Sequence, residues 1–138
     1  MRTLILTVGL PRAGKSTWAK ARGYPVVNPD SIRLALHGQA FQKEAEGFVW
    51  AIAKVMVQSL FLSGHDVVVL DATNTTAKRR DEWMEVADRV NALVKYKVIY
   101  RTPQDCRDQA VRDQKDFLVP VINRMSDEWD HPPTDQCL

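Results

Sequence analysis

The sequence predicts an α/β sandwich of three layers, in which helices cover both faces of a mainly parallel sheet of four to five strands. Three runs of β-branched and other apolar residues, at positions 4–8, 67–70 and 94–100, are typical of strands buried on both faces, and positions 25–27 form a shorter fourth candidate. The segments between these runs carry apolar residues at helical spacing. Alternation of strands and helices favours a parallel sheet. We expect the 138 residues to form one domain.

The first predicted strand leads directly into an octapeptide at 9–16 that fits GxxxxGK[ST], and a helix-compatible stretch follows. The glycines would let backbone N–H groups surround an anion, and the helix N-terminus would add a positive dipole. This context predicts a phosphate-binding loop. Lys15 would contact the β- and γ-phosphates of a nucleotide, and Ser16 would ligate Mg²⁺. The residues expected to bind the nucleotide are Gly9, Pro11, Arg12, Ala13, Gly14, Lys15, Ser16 and Thr17.

The short run at 25–27 is followed by Asp30, at the start of a short predicted helix that ends near His37. Aspartate is an ordinary N-cap residue. The carboxyl end of this strand is also where an acceptor alcohol could face the γ-phosphate, and a carboxylate there could orient the alcohol and take its proton. Arg33, one turn later, could clamp an acceptor phosphate or form an intrahelical ion pair. Spacing alone leaves these alternatives open.

A long helix is predicted between the second and third strands, with a broad apolar face that should pack against the sheet. The residues of that face are Phe41, Ala45, Phe48, Val49, Ile52, Val55, Met56, Ser59 and Leu60. The triplet at 63–65 provides a stop signal. No run reaches the roughly 18 apolar residues that a membrane span needs, so we expect no membrane partner.

Asp71 closes the strand at 67–70, a pattern typical of a carboxylate that supports Mg²⁺ beside a phosphate loop. A turn-capping role within residues 71–74 is the alternative.

A helix should begin near Ala77 and continue to about Val90. The basic cluster at 78–80 could touch a polynucleotide backbone or could be a solvated helix start.

The last third of the chain contains a strand at 94–100, a helix capped by Thr102 and Pro103, and a final helix from Val119. Cys106 and Cys137 are far apart and lack a CxxC partner, so we expect two reduced thiols. The N-terminus enters a strand and not a signal peptide, which favours a cytoplasmic location. The net charge of +2 is too small to indicate nucleic-acid binding by itself.

Three elements together resemble a known family: the loop at 9–19, the element Asn28-x-Asp30-x-x-Arg33, and residues 71–74 followed by Arg79-Arg80. They are similar to the kinase domain of bacteriophage T4-type polynucleotide kinase and to its zeta-toxin-like and AAA-type P-loop kinase relatives. The resemblance covers nearly the whole chain. It implies the adenylate-kinase-like P-loop kinase fold, ATP and Mg²⁺ as cofactors, and transfer of the γ-phosphate to a nucleic-acid hydroxyl, most simply the 5′-hydroxyl of DNA or RNA.

The resemblance also implies roles for individual residues. Asp30 matches the general base for the acceptor hydroxyl, Arg33 the contact to the acceptor phosphate, and Asp71 a carboxylate that supports the active site and its metal. Lys15 and Ser16 match the contacts to the donor phosphates and to Mg²⁺. Further substrate contacts are expected from Asn74 and Arg79.

The family's lid arginine lies on the helix before a Val-Pro pair, which here is Val119-Pro120. No gap-free alignment places an arginine at the family's spacing. We choose Arg112 as the catalytic lid residue, with Lys115 as a possible substitute. Acidic residues interleave with these cations, as on an ordinary solvated helix. The resemblance does not extend to a phosphatase domain, so 3′-phosphatase activity is not predicted.

Two other functions remain open at this level. The same chemistry could act on a hydroxymethylated base in DNA, or on a small nucleoside or sugar, because the acceptor pocket would be built from residues 31–47, where the alignment is loosest. A nucleotide-binding switch or ATPase would need the phosphate loop but no base on the acceptor side. Asp30 therefore discriminates a kinase from a switch. The sequence does not indicate an oligomeric state.

Overall fold

A computed structural model describes residues 1–38 and 41–138, and these residues form the predicted three-layer α/β sandwich. The strands are β1 (Arg2–Val8), β2 (Val26–Val27), β3 (Val67–Leu70) and β4 (Ala92–Val98). The helices are α1 (Lys15–Ala21), α2 (Pro29–His37), α3 (Glu46–Leu62), α4 (Ala77–Arg89), α5 (Pro103–Arg112) and α6 (Leu118–Asp127). Single 3₁₀ turns form at Lys43–Ala45 and Thr134–Gln136.

The sheet of the described residues is fully parallel, with the strand order β2-β3-β1-β4. β1 pairs with β4 over its whole length, from Arg2 opposite Ala92 to Val8 opposite Val98. β4 therefore begins and ends two residues earlier than the apolar run at 94–100 predicts. An isolated bridge joins Cys137 to the outer edge of β4. Because every strand runs in the same direction, the segments that follow all four strands meet at one edge.

The two faces of the sheet are covered unequally. The face toward α3 and α4 buries the main core, which includes Leu4, Leu6, Phe61 and Trp83. On the opposite face, α1 contributes Ala19 to a smaller cluster, packed against side chains of β1 and β3. Alternate residues of each strand point to opposite faces, and both faces of β1 and β3 are buried, so their sequences read as continuous apolar runs.

The structure corrects the predicted buried face of α3. The stripe that lies fully buried under the sheet is Val49, Ala53, Val57 and Phe61, spaced four residues apart. Phe48 and Val55, which were expected to pack against the sheet, are exposed, and so is Phe41, which precedes the helix. The helix is apolar around most of its circumference, so hydrophobic spacing could not define which side faces the sheet.

By length and mean hydropathy of 1.4, the segment Lys43–Leu62 would suffice to cross a membrane, contrary to the expectation that no segment would. One face of this helix, however, is packed into the main core together with the sheet residues. An apolar helix that covers a sheet of a folded domain meets the same length and composition criteria. The packing favours a core helix over a membrane span.

The neighbours Phe61 and Leu62 provide a test of this packing, because Phe61 is 0% exposed and Leu62 is 70% exposed. We expect Phe61→Ala to lower the free energy of unfolding by about 3–5 kcal/mol, since it removes a ring from a closely packed core. Leu62→Ala, the matched control, should change it by less than about 0.5 kcal/mol. Urea unfolding measures both. Equal losses in the two variants would contradict the assigned face.

Candidate active site

A cleft of about 1040 Å³ opens at the edge where the strands end. Its walls are the loop after β1, the start of α2, the segment after β3, the start of α4, and α5 with α6. The cleft is large enough for a nucleotide and a second reactant. The predicted site residues that line it are Pro11, Arg12, Gly14, Lys15, Ser16, Thr17, Asp30, Arg33, Asp71, Asn74 and Arg79.

The loop after β1 is pressed against the end of β4. A Cβ atom at Gly9 would lie 2.6 Å from the carbonyl oxygen of Ile99, so a larger residue would collide with backbone there. Gly14 has a φ of 106°, which only glycine adopts at low cost, and Arg12 also lies in the left-handed region. The amide of Gly9 donates to the carbonyl of Thr73 at 3.0 Å, which fixes the loop to the segment after β3. The loop is thus held in a defined concave shape.

Lys15 lies inside this loop and is almost fully buried. Its Nζ donates to the carbonyl oxygen of Leu10 at 2.7 Å. Burial lowers the pKa of Lys15 from 10.5 to about 8, although the nearby carboxylates of Asp71 and Asp30 act in the opposite direction. An ammonium group removed from water and surrounded by loop backbone is a strong site for an anion.

Asp71 connects the phosphate loop to the start of α2. Its Oδ2 accepts hydrogen bonds from Ser16 Oγ at 2.7 Å and from Asn28 Nδ2 at 2.9 Å. Asn28 also caps α2, because its Oδ1 accepts from the amide of Ser31 at 3.2 Å. The sequence prediction paired Ser16 with Asp71 but gave Asn28 no contact to it. This bridge joins the expected donor and acceptor sides of the cleft.

The geometry fits ATP and Mg²⁺. The inward Lys15 ammonium and the left-handed loop residues Arg12 and Gly14 suit a polyphosphate. Mg²⁺ is commonly held by one or two protein oxygens, water and substrate phosphates, and Ser16 and Asp71 provide such oxygens side by side. Within residues 1–38 and 41–138 there is no cluster of three or more His, Cys, Asp or Glu side chains that could hold a metal by itself.

Asp30 and Arg33 lie on the wall opposite the phosphate loop, and they contact each other. Arg33 Nη1 donates to Asp30 Oδ1 at 2.6 Å. The Nε and Nη2 atoms of Arg33 form two further bonds, to Glu46 Oε2 at 2.9 Å and Glu46 Oε1 at 2.6 Å. Burial opposes the charge of Arg33, but the hydrogen bonds and charges of Glu46 and Asp30 outweigh it and raise its pKa. Asp30 itself is 72% exposed, as a group that must meet a substrate would be.

The indole of Trp50 lies between two arginines on the same wall. The guanidinium carbons of Arg33 and Arg79 are 5.7 Å and 4.2 Å from its ring centroid, within the range of cation–π contacts. Trp50 also packs edge-on against the buried Trp83, with ring centroids 6.3 Å apart. Arg79 forms an ion pair with Glu82 at 3.1 Å. The wall therefore combines aromatic surface with partly neutralised positive charge.

Asn74, which lines the cleft, and Arg80 both have hydrogen-bond partners within the protein. Asn74 Nδ2 donates to the carbonyl of Thr7 at 2.9 Å, which leaves Oδ1 buried without a partner among the described residues. In the basic cluster at 78–80, Arg80 is buried and donates to the carbonyl of Asn74 at 2.9 Å. Arg80 is therefore unable to follow a polynucleotide backbone, and only Lys78 and Arg79 extend outward.

The structure does not bring Arg112 into the cleft. The side of α5 that lines the cleft carries Gln109 and Asp113, while the Arg112 guanidinium donates to Gln109 Oε1 at 2.9 Å. Neither Arg107 nor Lys115 lines the cleft. The choice of Arg112 rested on the helix without knowledge of its rotation, and its catalytic role stays a prediction.

Two other arginines line the cleft beside the phosphate loop, and sequence reasoning missed both. Arg101 follows β4, and its Nη1 donates to the carbonyl of Arg12 at 3.2 Å. Arg124 lies on α6, and its side chain has no hydrogen bond or ion pair within the described ranges. The only available signal for Arg101 was its position just after a predicted strand. Glu46 carried no signal, since it appeared as one polar residue at a helix start.

Of the segment 31–47 that was expected to build the acceptor pocket, Gln39 and Ala40 lie outside the described residues. Arg33, Phe41 and Glu46 line the cleft. The described part of this segment therefore forms one wall of the same cleft as the phosphate loop.

Comparison with known proteins gives one family and several related structures. The family described as an AAA domain matches residues 4–119. A structure of the Pnkp1/Rnl/Hen1 complex is 24% identical over 78% of this chain, with a TM-score of 0.68. The Pnkp1/Rnl/Hen1 RNA repair complex is 18% identical over 95% of it, also with a TM-score of 0.68. This chain spans only 38% and 48% of those two chains.

A third structure is the Mycobacterium tuberculosis APS kinase CysC in complex with AMPPNP and APS. It is 16% identical over 99% of this chain and 83% of its own length, with a TM-score of 0.62. At these identities the similarity shows the fold, which is that of the P-loop kinases.

The low pKa of Lys15 leads to a prediction about stability. Its pKa is about 8 in the folded state against 10.5 as the ordinary value, so the folded state disfavours the ammonium. The resulting loss of stability is fully present below pH 8 and disappears as the pH rises toward 10.5. We expect Lys15→Met, without nucleotide, to be about 2–3 kcal/mol more stable than the wild type at pH 7. The same variant should lose binding of an ATP analogue.

Urea unfolding of both proteins between pH 7 and pH 10 measures the difference, and it should shrink as the pH rises. Comparison of the two proteins cancels the titration of all other groups. A Lys15→Met protein that is less stable than the wild type at pH 7 would show that Lys15 is not under desolvation strain.

Proposed function

Since the chain belongs to the AAA domain family and has a P-loop kinase-like fold, we propose that it transfers the γ-phosphate of ATP to a hydroxyl of a nucleic acid. The preferred acceptor is the 5′-hydroxyl of DNA or RNA. One observation carries the kinase proposal: Asp30, tied to Arg33, lies in the same cleft as the phosphate loop but on its opposite wall. A switch protein needs no carboxylate at that place.

In the proposed reaction the acceptor alcohol oxygen attacks the γ-phosphorus, and the bond to the β–γ bridging oxygen breaks. Asp30 orients the alcohol and takes its proton. Lys15 and the loop amides hold the β- and γ-phosphates in line with the alcohol. Mg²⁺ bound at Ser16 and Asp71 would neutralise charge on the phosphates. Arg101 and Arg124, in place of Arg112, supply positive charge on the donor side.

The nucleic-acid acceptor is supported by the resemblance of the Asn28-x-Asp30-x-x-Arg33 element and by similarity to a chain of the Pnkp1/Rnl/Hen1 RNA repair complex. It is also supported by the positive charge of Arg33 and Arg79 on the wall beside Trp50, which suits a phosphate. Similarity to an APS kinase favours a second candidate, a kinase of a small molecule. A hydroxymethylated base in DNA is a further candidate acceptor, to which the same phosphoryl transfer would apply.

The deciding experiment offers γ-labelled ATP with 5′-hydroxyl DNA and RNA oligonucleotides, duplexes that contain hydroxymethylated bases, and free nucleosides and sugars. Label on the 5′-hydroxyl oligonucleotides supports the preferred acceptor. Label on small molecules alone would replace the nucleic-acid proposal with the small-molecule alternative. ATP hydrolysis with no labelled acceptor would favour the switch or ATPase.

Asp30→Asn separates binding from transfer. Without the carboxylate the alcohol loses its proton acceptor, so we expect the transfer rate to fall by at least about 100-fold. Affinity for an ATP analogue should stay within about twofold, because the hydrogen bond and ion pair that Asp30 makes within the described residues go to Arg33, and its charge affects Lys15 less than that of Asp71 does. Asp66→Asn, at the opposite edge of the sheet, is the matched control. Transfer by Asp30→Asn at the wild-type rate would refute the proposed mechanism.

Glu46 provides a prediction about the acceptor side. Its two bonds engage Nε and Nη2 of the Arg33 guanidinium, and Nη1 is bonded to Asp30, so the second hydrogens of Nη1 and Nη2 are the donors left for an acceptor phosphate. We expect Glu46→Gln to raise the KM for the acceptor about tenfold through loss of this charge-assisted pair, with little change in KM for ATP. Glu44→Gln, an exposed glutamate two residues earlier, is the control. A lower acceptor KM in Glu46→Gln would mean that Glu46 competes with the acceptor for Arg33.

A further inference from the structure

The positive charge of this protein is segregated along the chain. Residues 1–29 contain five lysines and arginines and residues 89–101 contain four, out of 19 in the protein, and neither segment contains an aspartate or glutamate. The two segments are also neighbours in space, because β1 pairs with β4 over its whole length and α1 packs on β1. One flank of the molecule is therefore strongly cationic, although the net charge is only +2.

The cations on this flank that have no carboxylate partner within the described parts of the chain include Lys20 on α1, Arg22 at the C-cap of α1, and Lys95 and Lys97 on β4. Lys95 and Lys97 are two residues apart on one strand, so they share a face of the sheet. Lys20 lies in the last turn of α1, and Arg22 is the C-cap residue of that helix. Unpaired like charges in one region raise the local potential and attract anions.

Trp18 connects the two groups of cations. The guanidinium carbon of Arg22 is 5.1 Å from the centroid of its ring, and Nζ of Lys97 is 5.8 Å from it. The indole is half-buried beside Ile5 and Ala19, so it keeps an exposed part in the middle of the charged area. We call Trp18, Arg22, Lys95 and Lys97 the Trp18 patch.

The Trp18 patch lies outside the cleft but next to it. None of its residues lines the cleft. However, the segment directly after β4 contains Ile99 and Arg101, and both residues contact the phosphate loop. α1 likewise begins inside that loop, at Lys15. Arg101, four residues after Lys97, lines the cleft, so the chain connects the patch to the cleft with a further positive charge.

We propose that the Trp18 patch binds the backbone of single-stranded nucleic acid outside the active site, an inference that rests on the proposed nucleic-acid kinase function. Unpaired lysines and arginines neutralise backbone phosphates and release counterions, and an exposed indole provides a surface for base stacking. A small sugar or nucleoside would be too short to reach from the cleft to this surface. The patch would therefore give the kinase a preference for long acceptors over short ones.

The binding test needs no ATP and no catalysis. Fluorescence anisotropy with a 5′-phosphorylated single-stranded 20-mer, as DNA and as RNA, reports binding of a strand that cannot be phosphorylated again. At about 50 mM salt we expect Lys97→Gln to raise Kd about fivefold and Lys95→Gln/Lys97→Gln to raise it about twentyfold. The slope of log affinity against log salt concentration should become less steep by about 0.7 for each phosphate that the variant no longer neutralises. Lys54→Gln, which removes the same charge from α3, is the control and should leave Kd unchanged. Thermal unfolding checks that each variant is folded.

The catalytic arm compares acceptors of different length. In Lys95→Gln/Lys97→Gln the KM for a 20-mer with a 5′-hydroxyl should rise, while kcat and the KM for a nucleoside 3′-monophosphate stay as in the wild type. Unchanged Kd and salt dependence in the double variant would overturn the proposal, even if 5′-hydroxyl ends are phosphorylated. Equal loss of affinity for polyglutamate and for the 20-mer would also overturn it, in favour of a general polyanion or acidic protein surface. Failure of the kinase function would appear separately, as absence of label on every nucleic acid.

Discussion

The parallel pairing of β1 with β3 on one side and β4 on the other is the constraint on which the site depends. The register places the end of β1 beside the ends of both neighbours, so Gly9 contacts Thr73 on one side and Ile99 on the other. Asp71 follows β3 directly and reaches Ser16 at the start of α1. Shifting either pairing by one residue would turn the strand side chains to the opposite face and separate these groups.

The cleft holds its positive charge without a substrate by giving each central cation an internal partner. Lys15 has a backbone carbonyl, Arg33 has Glu46 and Asp30, and Arg79 has Glu82. These partners limit the cost of burying charge, but they do not remove it at Lys15, whose pKa is lowered by burial. A phosphate that enters the loop would offset the unfavourable burial of the Lys15 charge. The empty site therefore lowers the stability of the fold, and binding of the ligand raises it.

Much of the fold and part of the site could be predicted from the sequence. The strands at 4–8 and 67–70 are apolar on both faces, and the loop at 9–16 has a nearly unique combination of residue types, so both are readable locally. The face of α3 that packs on the sheet could not be predicted, because apolar residues surround most of the helix. Val49 and Phe61 are buried, while Phe48 is exposed. Which residues of α5 face the cleft could not be predicted, because the rotation of α5 depends on packing against α6 and the loop.

By itself, the sequence determined the order of strands and helices along the chain, the phosphate loop, and the positions of Asp30, Arg33 and Asp71 relative to the ends of the strands. These follow from local patterns of apolar residues, glycine and charge. Only the tertiary structure decided which partners those side chains have: Glu46 beside Arg33, Asn28 beside Asp71, and Arg124 in the cleft in place of Arg112. Such contacts join segments through the packing of whole elements, and helix rotation and side-chain direction are set by that packing and not by spacing along the chain.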